Sequence, residues 1–374
     1  MASSSKENQK RRTAVSSIKE RKKRWLNLLP DSELIFRILT PVAAIIFALI
    51  VGAIVIAVIG VNPLIAYKEL IIGAFGSGYS VSEIFVRAMP LAFAGLAVAF
   101  AYRGGLMNIG AEGQIYVGAL GATLVALFFT GLPSFVIVIL TILASAIFGG
   151  IWALIPAILK AKWNVNEFVN TVMMNYIGIY LVNFLISSPL REKQVTNYPQ
   201  TAIFDSTAWM PNLISGTRLS IGLLILIGLA VVVYILLWHT SFGYQIRVIG
   251  FNRKASLYSG MNGTKLLIMN FIIAGALAGV GGGIEATGIQ HRLISNFSPG
   301  YGYTGITVAL IGRNHPFGVI IAALFFGVLR VGSRAMESYA KVPYSVNTII
   351  EAVALIAILS SDYLGRVIFK SKKQ

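Results

Sequence analysis

Several polar side chains with the capacity for chemistry lie inside otherwise apolar stretches of this sequence. Asn108, Glu112 and Gln114 fall together in the run NIGAEGQ, and Asn166 and Asn170 open another apolar stretch one helical turn apart. Polar groups are costly in hydrocarbon, so these residues are candidates for a functional site. Glu112 could accept hydrogen bonds from substrate hydroxyls, or it could cap a helix by stabilising the positive N-terminal end of that helix. The amides could line a pore or join neighbouring helices.

A second polar segment, 288–304, contains Tyr301 and Tyr303 beside several glycines. Their rings could stack on a planar ligand, although tyrosine is also common where a membrane meets water. Both this segment and 104–114 are too rich in glycine and polar groups to face lipid as helices. Irregular backbone at membrane depth is tolerated only against protein or a water-filled path, so we expect both segments to line such a surface.

Sequence patterns of metal or nucleophilic catalysis are missing from the chain. The histidines His239, His291 and His315 are isolated from one another, and no HExxH pattern occurs. With no cysteine, the chain has no disulfide, thiolate nucleophile or thiolate metal ligand. A glycine-rich phosphate-binding loop ending in Gly-Lys-Ser or Gly-Lys-Thr is also absent. We therefore expect no catalytic residues, no metal site and no cofactor, and any ATP must be bound by another subunit.

The composition is that of a membrane protein. Of 374 residues, 56% are hydrophobic and only 12% are charged, against about 25% charged in soluble globular chains. The net charge is +17, and much of it lies in the first 37 residues and in a second basic cluster near the C-terminus. Basic tails that flank apolar spans are typical of cytoplasmic anchors on anionic lipid. We therefore expect membrane lipids, and no nucleic acid, as their partners.

An all-α, polytopic membrane fold follows, because crossing the bilayer takes about 20 mostly apolar residues in a helix. The sequence predicts about ten transmembrane helices with irregular or re-entrant segments: 38–61, 83–102, 111–130, 135–159, 166–186, 219–238, 266–287, 298–312, 317–331 and 346–361. Most Lys and Arg lie on the side of the N-terminus, so both termini are expected to be cytoplasmic. The predicted divisions are a basic tail at 1–37, a transmembrane domain at 38–365 and a basic tail at 366–374.

Two further patterns concern how the helices pack. Gly275, Gly279 and Gly283 recur at intervals of four, which predicts close contact between helices. The stretches GLAVAFAYR at 95–103 and GITVALIGR at 305–313 share Gly, Val, Ala and Arg at matching positions. Internal repeats are common in transporter folds, so this weak similarity predicts two related segments unless it is coincidence.

A long cytoplasmic loop at 239–265 is the most informative segment outside the spans. It predicts a short helix bounded by Gly243 and Gly250, a second helix capped by Asn252, and a break at Gly260. A short amphipathic helix on this face could lie on lipid or dock a partner protein.

Two stretches together resemble a known family. GLAVAFAYRGGLMNIGAEGQIYVGA at 95–119 and TSFGYQIRVIGFNRKASLYSGMN at 240–262 are similar to the permease subunits of bacterial ABC importers for ribose and nucleosides. The spelling GLMNIGAEGQ resembles the nucleoside branch most closely. The similarity runs from about 38 to 365 and leaves out the first basic tail.

The resemblance implies several partners and one docking segment. It implies an ABC ATPase subunit that uses ATP and magnesium, a second and paralogous permease, and an extracytoplasmic substrate-binding lipoprotein. It also implies that the loop at 242–262 couples the permease to the ATPase. The loop residues that match the family pattern, with Phe242 at its start, are Phe242, Gly243, Arg247, Gly250, Asn252, Ala255 and Gly260.

The expected function is therefore transport and not enzymatic catalysis. We expect a permease of the bacterial cytoplasmic (inner) membrane that moves nucleosides by alternating access, with the substrate path inferred from polarity and depth at Asn108, Glu112, Gln114, Asn166 and Asn170 and from the tyrosines at 301 and 303. Amides and aromatic rings suit an uncharged, hydroxylated, planar cargo. Two alternatives remain open at this point: a simple-sugar permease of the same family, and an ion-coupled secondary transporter that works alone.

Overall fold

The computed structural model describes residues 32–193, 198–252, 256, 258 and 260–370. Within these residues the backbone forms twelve α-helices: α1 Ser32–Val58, α2 Pro63–Phe75, α3 Gly78–Arg103, α4 Ala111–Phe128, α5 Ser134–Trp163, α6 Glu167–Ser187, α7 Gly222–His239, α8 Ser241–Phe251, α9 Gly263–Ile284, α10 Tyr301–Ile311, α11 Pro316–Ala340 and α12 Ser345–Lys370. A π-helical turn, Glu285–Gln290, extends α9. Most of the first predicted tail and residues 371–374 of the second lie outside the described residues.

The all-α membrane fold is confirmed. Among the described residues, eight helices are long and apolar enough to cross a membrane, and they correspond to eight of the ten predicted spans. The other two predicted spans, 298–312 and 346–361, correspond to shorter apolar helical stretches, Tyr301–Ile311 and Ser345–Ser360. An 11-residue helix rises about 16 Å, roughly half the hydrocarbon thickness, so α10 is a half-length helix.

The helix α2 is a feature that the hydropathy pattern does not predict. Thirteen residues are too few for a span, and Lys68 and Glu69 interrupt its apolar run. Local signals nevertheless start it, because Pro63 occupies the first helical turn and the Asn62 side chain accepts a 2.9 Å hydrogen bond from the Leu64 N–H. The helix packs on α11 where Gly73 faces Ala335.

Three helices form the centre of the bundle. The apolar windows of α3, α4 and α9 are 89%, 78% and 72% buried, whereas that of α1 is 22% buried. The outer helices α1, α5 and α7 expose isoleucine, leucine and valine side chains. Lipid is as apolar as these side chains, so such exposure is expected of a helix that faces the bilayer.

Small residues let the inner helices approach closely. A Cβ atom at Gly118 of α4 would overlap Gly279 of α9, and one at Gly279 would overlap the backbone oxygen of Ser145 in α5. Gly275 faces Gly149 of α5 in the same way. The predicted glycine packing along α9 is therefore confirmed, and it joins three helices at once.

The two stretches of similar sequence, 95–103 and 305–313, lie side by side. A Cβ atom at Gly95 would come within 2.9 Å of Val308, and one at Gly305 would overlap Ala94. At the end of both stretches the Nη2 of Arg103 donates a 3.2 Å hydrogen bond to the carbonyl of Arg313. An internal repeat stays a prediction, but α3 and α10 do pair along these segments.

Candidate functional site

Two irregular segments between helices come together inside the bundle. The chain is irregular at 104–110, between α3 and α4, and again at 291–300, between the π-helical turn and α10. Gly302 in the first turn of α10 lies so close to the backbone of Ala111 and Glu112 that a Cβ atom there would overlap it. The N-terminal ends of α4 and α10 are therefore in contact. The predicted irregular backbone is confirmed for 104–110 and 291–300, whereas 111–114, 288–290 and 301–304 are helical.

Glu112 lies at this contact, buried to 1% exposure. Its Oε2 accepts a 2.5 Å hydrogen bond from the Gly302 N–H. The Ser298 hydroxyl and the Gly300 N–H also face the carboxylate. Of the two roles open from the sequence, the structure shows the helix-capping contact, but Glu112 makes it with α10 and not with its own helix. We call the contact between these two helix ends, including 104–110, the junction.

Within the junction, the side-chain amides of Asn108 and Gln114 hydrogen-bond to each other. Asn108 donates to Gln114 at 3.0 Å, and Gln114 donates back to the Asn108 oxygen at 3.2 Å. The same oxygen accepts a 3.0 Å bond from the Gly110 N–H. Both side chains are 1% exposed, so this pair fixes the turn that leads into α4.

Asn175 belongs to the junction although it was not among the sequence candidates. Its oxygen accepts a 2.8 Å bond from the Gly113 N–H, and its amide donates to the Ile109 carbonyl at 2.9 Å and to the Tyr303 hydroxyl at 3.3 Å. It is fully buried. The available signal was its depth, because it is an amide of α6 that lies farther into the span than Asn170.

Asn166 and Asn170 do not reach the junction. Asn166 is exposed and caps α6, accepting a 2.9 Å bond from the Phe168 N–H. Asn170 donates to the Pro156 carbonyl at 3.3 Å and so joins α6 to α5. Beside them, Lys160 and Glu167 form an ion pair of 2.8 Å between the same two helices.

Tyr301 and Tyr303 point to different sides of α10. The Tyr303 hydroxyl meets Asn175, and the side chain is 38% exposed. Tyr301 is buried, and the guanidinium carbon of Arg330 lies 5.5 Å from the centre of its ring. The two tyrosines therefore face two separate surfaces.

The surface beside Tyr301 is the wall of a cavity of about 330 Å³ between α3, α10 and α11. The side chains that carry its polar chemistry are Arg87, Tyr301, Arg330, Arg334, Glu337 and Tyr344. Arg330 binds Glu351 at 3.3 Å and donates to the Thr304 hydroxyl at 3.1 Å. Arg330 faces α12 and is the ion-pair partner of Glu351.

The short helix predicted in the 239–265 loop is confirmed as α8, but its limits differ from the prediction. The helix begins after Thr240, whose hydroxyl accepts a 3.1 Å bond from the Gly243 N–H, and it ends at Phe251. Gly243 and Gly250 lie inside the helix, where each allows close contact with backbone of another segment. Phe242 is half-buried against the core, and Ile246 is fully buried.

The opposite face of α8 is open. Tyr244 is 55% exposed, and Phe251 at the end of the helix is 88% exposed. Tyr258 farther along the loop is 93% exposed. Asn252 is the C-cap residue of α8, Gly260 has a left-handed backbone with φ of 74°, and Ala255 lies outside the described residues.

The helix α8 touches the interrupted segment directly. A Cβ atom at Gly250 would overlap the carbonyl of Arg103, and one at Gly105 would come within 2.9 Å of the Gly250 Cα. Gly105 has φ of 72°, a conformation that favours glycine. The backbone of α8 therefore packs against the first residues of 104–110, the irregular segment of the junction.

Arg103 and His315 fix the ends of α3 and α10 at this same side. Arg103 donates to the Asn314 carbonyl at 2.9 Å and lies 5.1 Å over the ring of Trp238. Burial and then the charge of Arg103 lower the pKa of His315 below its ordinary value. The ring is therefore neutral at pH 7, which suits its packing with Tyr234 and Trp238.

No three His, Asp or Glu side chains in the described part of the chain are grouped so that they could hold a metal ion. The chemistry of the site is that of amides, one buried carboxylate, tyrosines and arginines. Such a site can bind and orient an uncharged polar molecule through hydrogen bonds and ring contacts.

Comparison with known proteins places this architecture in a family. The profile of the family described as "Branched-chain amino acid transport system / permease component" matches residues 80–359. The matched region begins in α3 and ends in α12, so it contains the junction and α8.

Three relatives are similar over most of their length. The glucose ABC transporter permease protein TsgB13 of Haloferax volcanii is 35% identical over 87% of this chain and 88% of its own. The guanosine ABC transporter permease protein NupP of Bacillus subtilis is 35% identical over 90% of this chain and 97% of its own. The nucleoside ABC transporter permease protein NupB of Lactococcus lactis is 34% identical over 85% and 89%.

Proposed function

The chain belongs to the permease component family of branched-chain amino acid transport systems, and we propose that its cargo is a nucleoside. It is a multi-pass permease subunit of an ABC transport system and not an enzyme. The observation that carries the choice of cargo is the similarity, at 34 to 35% identity over nearly whole chains, to two permeases named for guanosine and nucleosides. The site supports this choice, because amides and tyrosines bind an uncharged planar molecule without a counter-charge.

The junction supports a role in the substrate path. Interrupted helices that end near the middle of the membrane are typical of transporter binding sites, because the free ends of the helices offer backbone groups to the cargo. Here the ends of α4 and α10 meet beside Glu112 and Asn175. We assign to the path Asn108, Glu112, Gln114 and Asn175 at the junction, and Tyr301 and Tyr303 on its two sides. Asn166 and Asn170 lie away from the junction and have supporting roles in this proposal.

The helix α8 is proposed to dock the ATPase. Its buried face, with Gly243 and Gly250, packs on the bundle, while Phe251 and Tyr258 are exposed at the side where we expect the cytoplasm. Large exposed aromatic residues are typical anchors of protein interfaces. Docking there would let movement of the ATPase act on Gly250 and, through it, on the segment at 104–110. Phe242, Arg247, Asn252, Ala255 and Gly260 complete the proposed coupling segment.

The remaining partners are proposed from the family. They are an ABC ATPase that binds ATP and magnesium, a second, paralogous permease, and an extracytoplasmic substrate-binding lipoprotein. The chain would lie in the bacterial inner membrane with both termini in the cytoplasm, and the path would alternate its open side as the ATPase closes and opens.

A second candidate is a simple-sugar permease, and the relative named for glucose favours it. Sugars and nucleosides share hydroxyl groups, so the amides of the junction suit either. An ion-coupled transporter that works alone is the more distant candidate, and it would need no surface such as the open face of α8.

The decisive experiment is uptake of radiolabelled guanosine by cells that carry the complete transporter, with excess unlabelled inosine, ribose or glucose as competitors. Competition by nucleosides alone would support the proposal, whereas competition by ribose or glucose would overturn it in favour of a sugar permease. Uptake that persists when the ATPase gene is deleted would instead show an ion-coupled transporter.

Two substitutions test the docking helix. Gly250→Pro and Arg247→Glu should abolish uptake and co-purification of the ATPase while leaving the chain in the membrane. Retained uptake by both variants would refute the docking role of α8.

A further inference from the structure

The cavity beside Tyr301 lies at the end of the bundle opposite α8. Two of its lining residues, Glu337 and Tyr344, are in the last turn of α11 and in the turn before α12. Its inner wall includes Tyr301, which directly precedes the Gly302 that binds Glu112. A molecule that enters from the side opposite α8 would therefore meet this cavity before the junction.

The polar groups of the cavity are mainly hydrogen-bond donors. Arg87, Arg330 and Arg334 line it, and an arginine side chain offers five N–H groups and no acceptor. Arg330 is buried and held by Glu351 and by the hydroxyl of Thr304. Arg334 is exposed, and no ion pair involving it is found among the described residues. Its planar group is thus available to a ligand.

The charges of the cavity are nearly balanced. Glu83 lies 3.8 Å from Arg87 and is shared with Arg218, Glu351 lies 3.3 Å from Arg330, and Glu337 is part of the wall. A phosphate or carboxylate ligand would be favoured by several unpaired arginines, whereas here carboxylates lie beside Arg87 and Arg330, and Glu337 in the wall adds a negative charge that repels an anion. The cavity therefore suits a neutral ligand that is rich in hydrogen-bond acceptors.

The size and the aromatic walls agree with a ring-containing small molecule. A volume of about 330 Å³ lies at the lower end of the roughly 300 to 1,000 Å³ of small-molecule pockets. Tyr301 and Tyr344 supply aromatic surface, and the Arg330 guanidinium lies against the Tyr301 ring.

We propose that this cavity recognises nucleosides before they reach the junction, and that its arginines select purine bases with a carbonyl oxygen at C6. This inference rests on the proposed function. Arginine pairs through two parallel hydrogen bonds with the adjacent O6 and N7 acceptors of guanine, and hypoxanthine presents the same edge. Adenine presents an amino group at C6, and this donor would face the N–H donors of an arginine unfavourably. Gln or Asn pairs better with adenine. Glu337 is placed to accept a hydrogen bond from a ribose hydroxyl or a ring N–H.

The test compares Arg334→Gln with the wild type in the complete transporter, reconstituted in liposomes with its ATPase, second permease and binding protein. The measured quantity is the ratio of guanosine to adenosine uptake at equal concentrations. Replacing the guanidinium, with its two parallel N–H donors, by an amide should lower this ratio about tenfold. Arg334→Lys keeps the charge and loses the paired geometry, so it should lower the ratio as well. Arg292→Gln is the matched control, because Arg292 lies outside the cavity, and it should leave the ratio unchanged.

The outcomes separate this inference from the proposed function. An unchanged ratio in Arg334→Gln, with guanosine still transported, would overturn the inference and leave the nucleoside cargo standing. An equal fall in both cargoes with weaker capture of the binding protein would also overturn it, since Arg334 would then be a docking residue for that protein. If the wild type transports no nucleoside, the proposed function fails and this inference fails with it.

Discussion

The carboxylate of Glu112 accepts a 2.5 Å hydrogen bond from the backbone N–H of Gly302, 190 residues farther along the chain. Two helices, α4 and α10, begin at this point and bring their positive ends together. Two such ends repel each other, and a carboxylate between them stabilises both. Glu112 therefore stabilises the contact between the N-terminal ends of α4 and α10 in the interior of the bundle.

Substitution of Glu112 should destabilise the fold, and the loss of stability should grow with the number of buried backbone N–H groups left without an acceptor. Glu112→Leu leaves the Gly302 N–H buried without a partner, which costs about 1–3 kcal/mol. Glu112→Gln keeps an acceptor oxygen but removes the charge, so its effect should be smaller. The melting temperature of the purified transporter measures both changes.

Glu69→Gln is the control for the Glu112 variants, because the described residues show no hydrogen bond or ion pair for this carboxylate of α2. It should leave the melting temperature unchanged. A Glu112→Leu protein as stable as the wild type would contradict the capping role and make Glu112 free to serve the cargo alone.

Asn175 should be the most sensitive amide of α6. Asn175→Ala strands both the Gly113 N–H and the Ile109 carbonyl, at about 1–3 kcal/mol for each group. Asn175→Asp keeps the acceptor for Gly113 but loses the donor to Ile109 and adds a buried carboxyl group, so it should be destabilised as well. Thermal unfolding in detergent is the measurement.

Asn183→Ala provides the comparison for Asn175, because Asn183 belongs to the same helix but its bonds to Ser295 and Asn296 lie at the exposed end. Its effect on the melting temperature should be smaller. Equal effects of Asn175→Ala and Asn183→Ala would argue against a special place for the junction.

The glycine contacts of α9 can be tested with the smallest possible change. Gly279→Ala places a methyl group against the backbone of Ser145, and overpacking of this kind costs about 1–3 kcal/mol. Gly228→Ala makes the same change in α7, where no atom lies within 4 Å of the added methyl group. The yield of folded, monodisperse protein should fall for Gly279→Ala and stay level for Gly228→Ala. A normal yield of both would show that α9 has room to shift.

Phe251 is predicted to bind the ATPase without supporting the fold. The side chain is 88% exposed, so Phe251→Ala should leave the melting temperature of this chain unchanged. Loss of an aromatic anchor costs on the order of 2 kcal/mol at an interface, or about thirtyfold in Kd. The measurement is the Kd between the permease pair and the purified ATPase.

Phe135→Ala is the matched control for Phe251, because Phe135 is also exposed but begins α5 at the opposite end of the bundle. It should leave the Kd unchanged. An unaltered Kd in Phe251→Ala would place the ATPase on another surface.

The sequence by itself determined the class of fold and most of its spans. Runs of apolar residues report the thickness of a membrane directly, so eight long helices follow from composition along the chain. The spacing of Gly275, Gly279 and Gly283 likewise determined a packing face, because every fourth residue lies on one side of a helix. The loop sequence predicts the short helix α8, but Gly243 and Gly250, its predicted ends, lie inside the helix and allow close contacts there.

Only the tertiary structure decided which polar residues act together. Glu112 and Gly302 are far apart in sequence, and hydropathy contains no information about which helix end meets which carboxylate. The same holds for Asn175, which in sequence resembles the other amides of α6, and for Tyr301 and Tyr303, which are two residues apart and face different surfaces. A helix turns by about 100° per residue, so neighbours in sequence diverge, and the packing of α10 against α4 and α11 decides what each one meets.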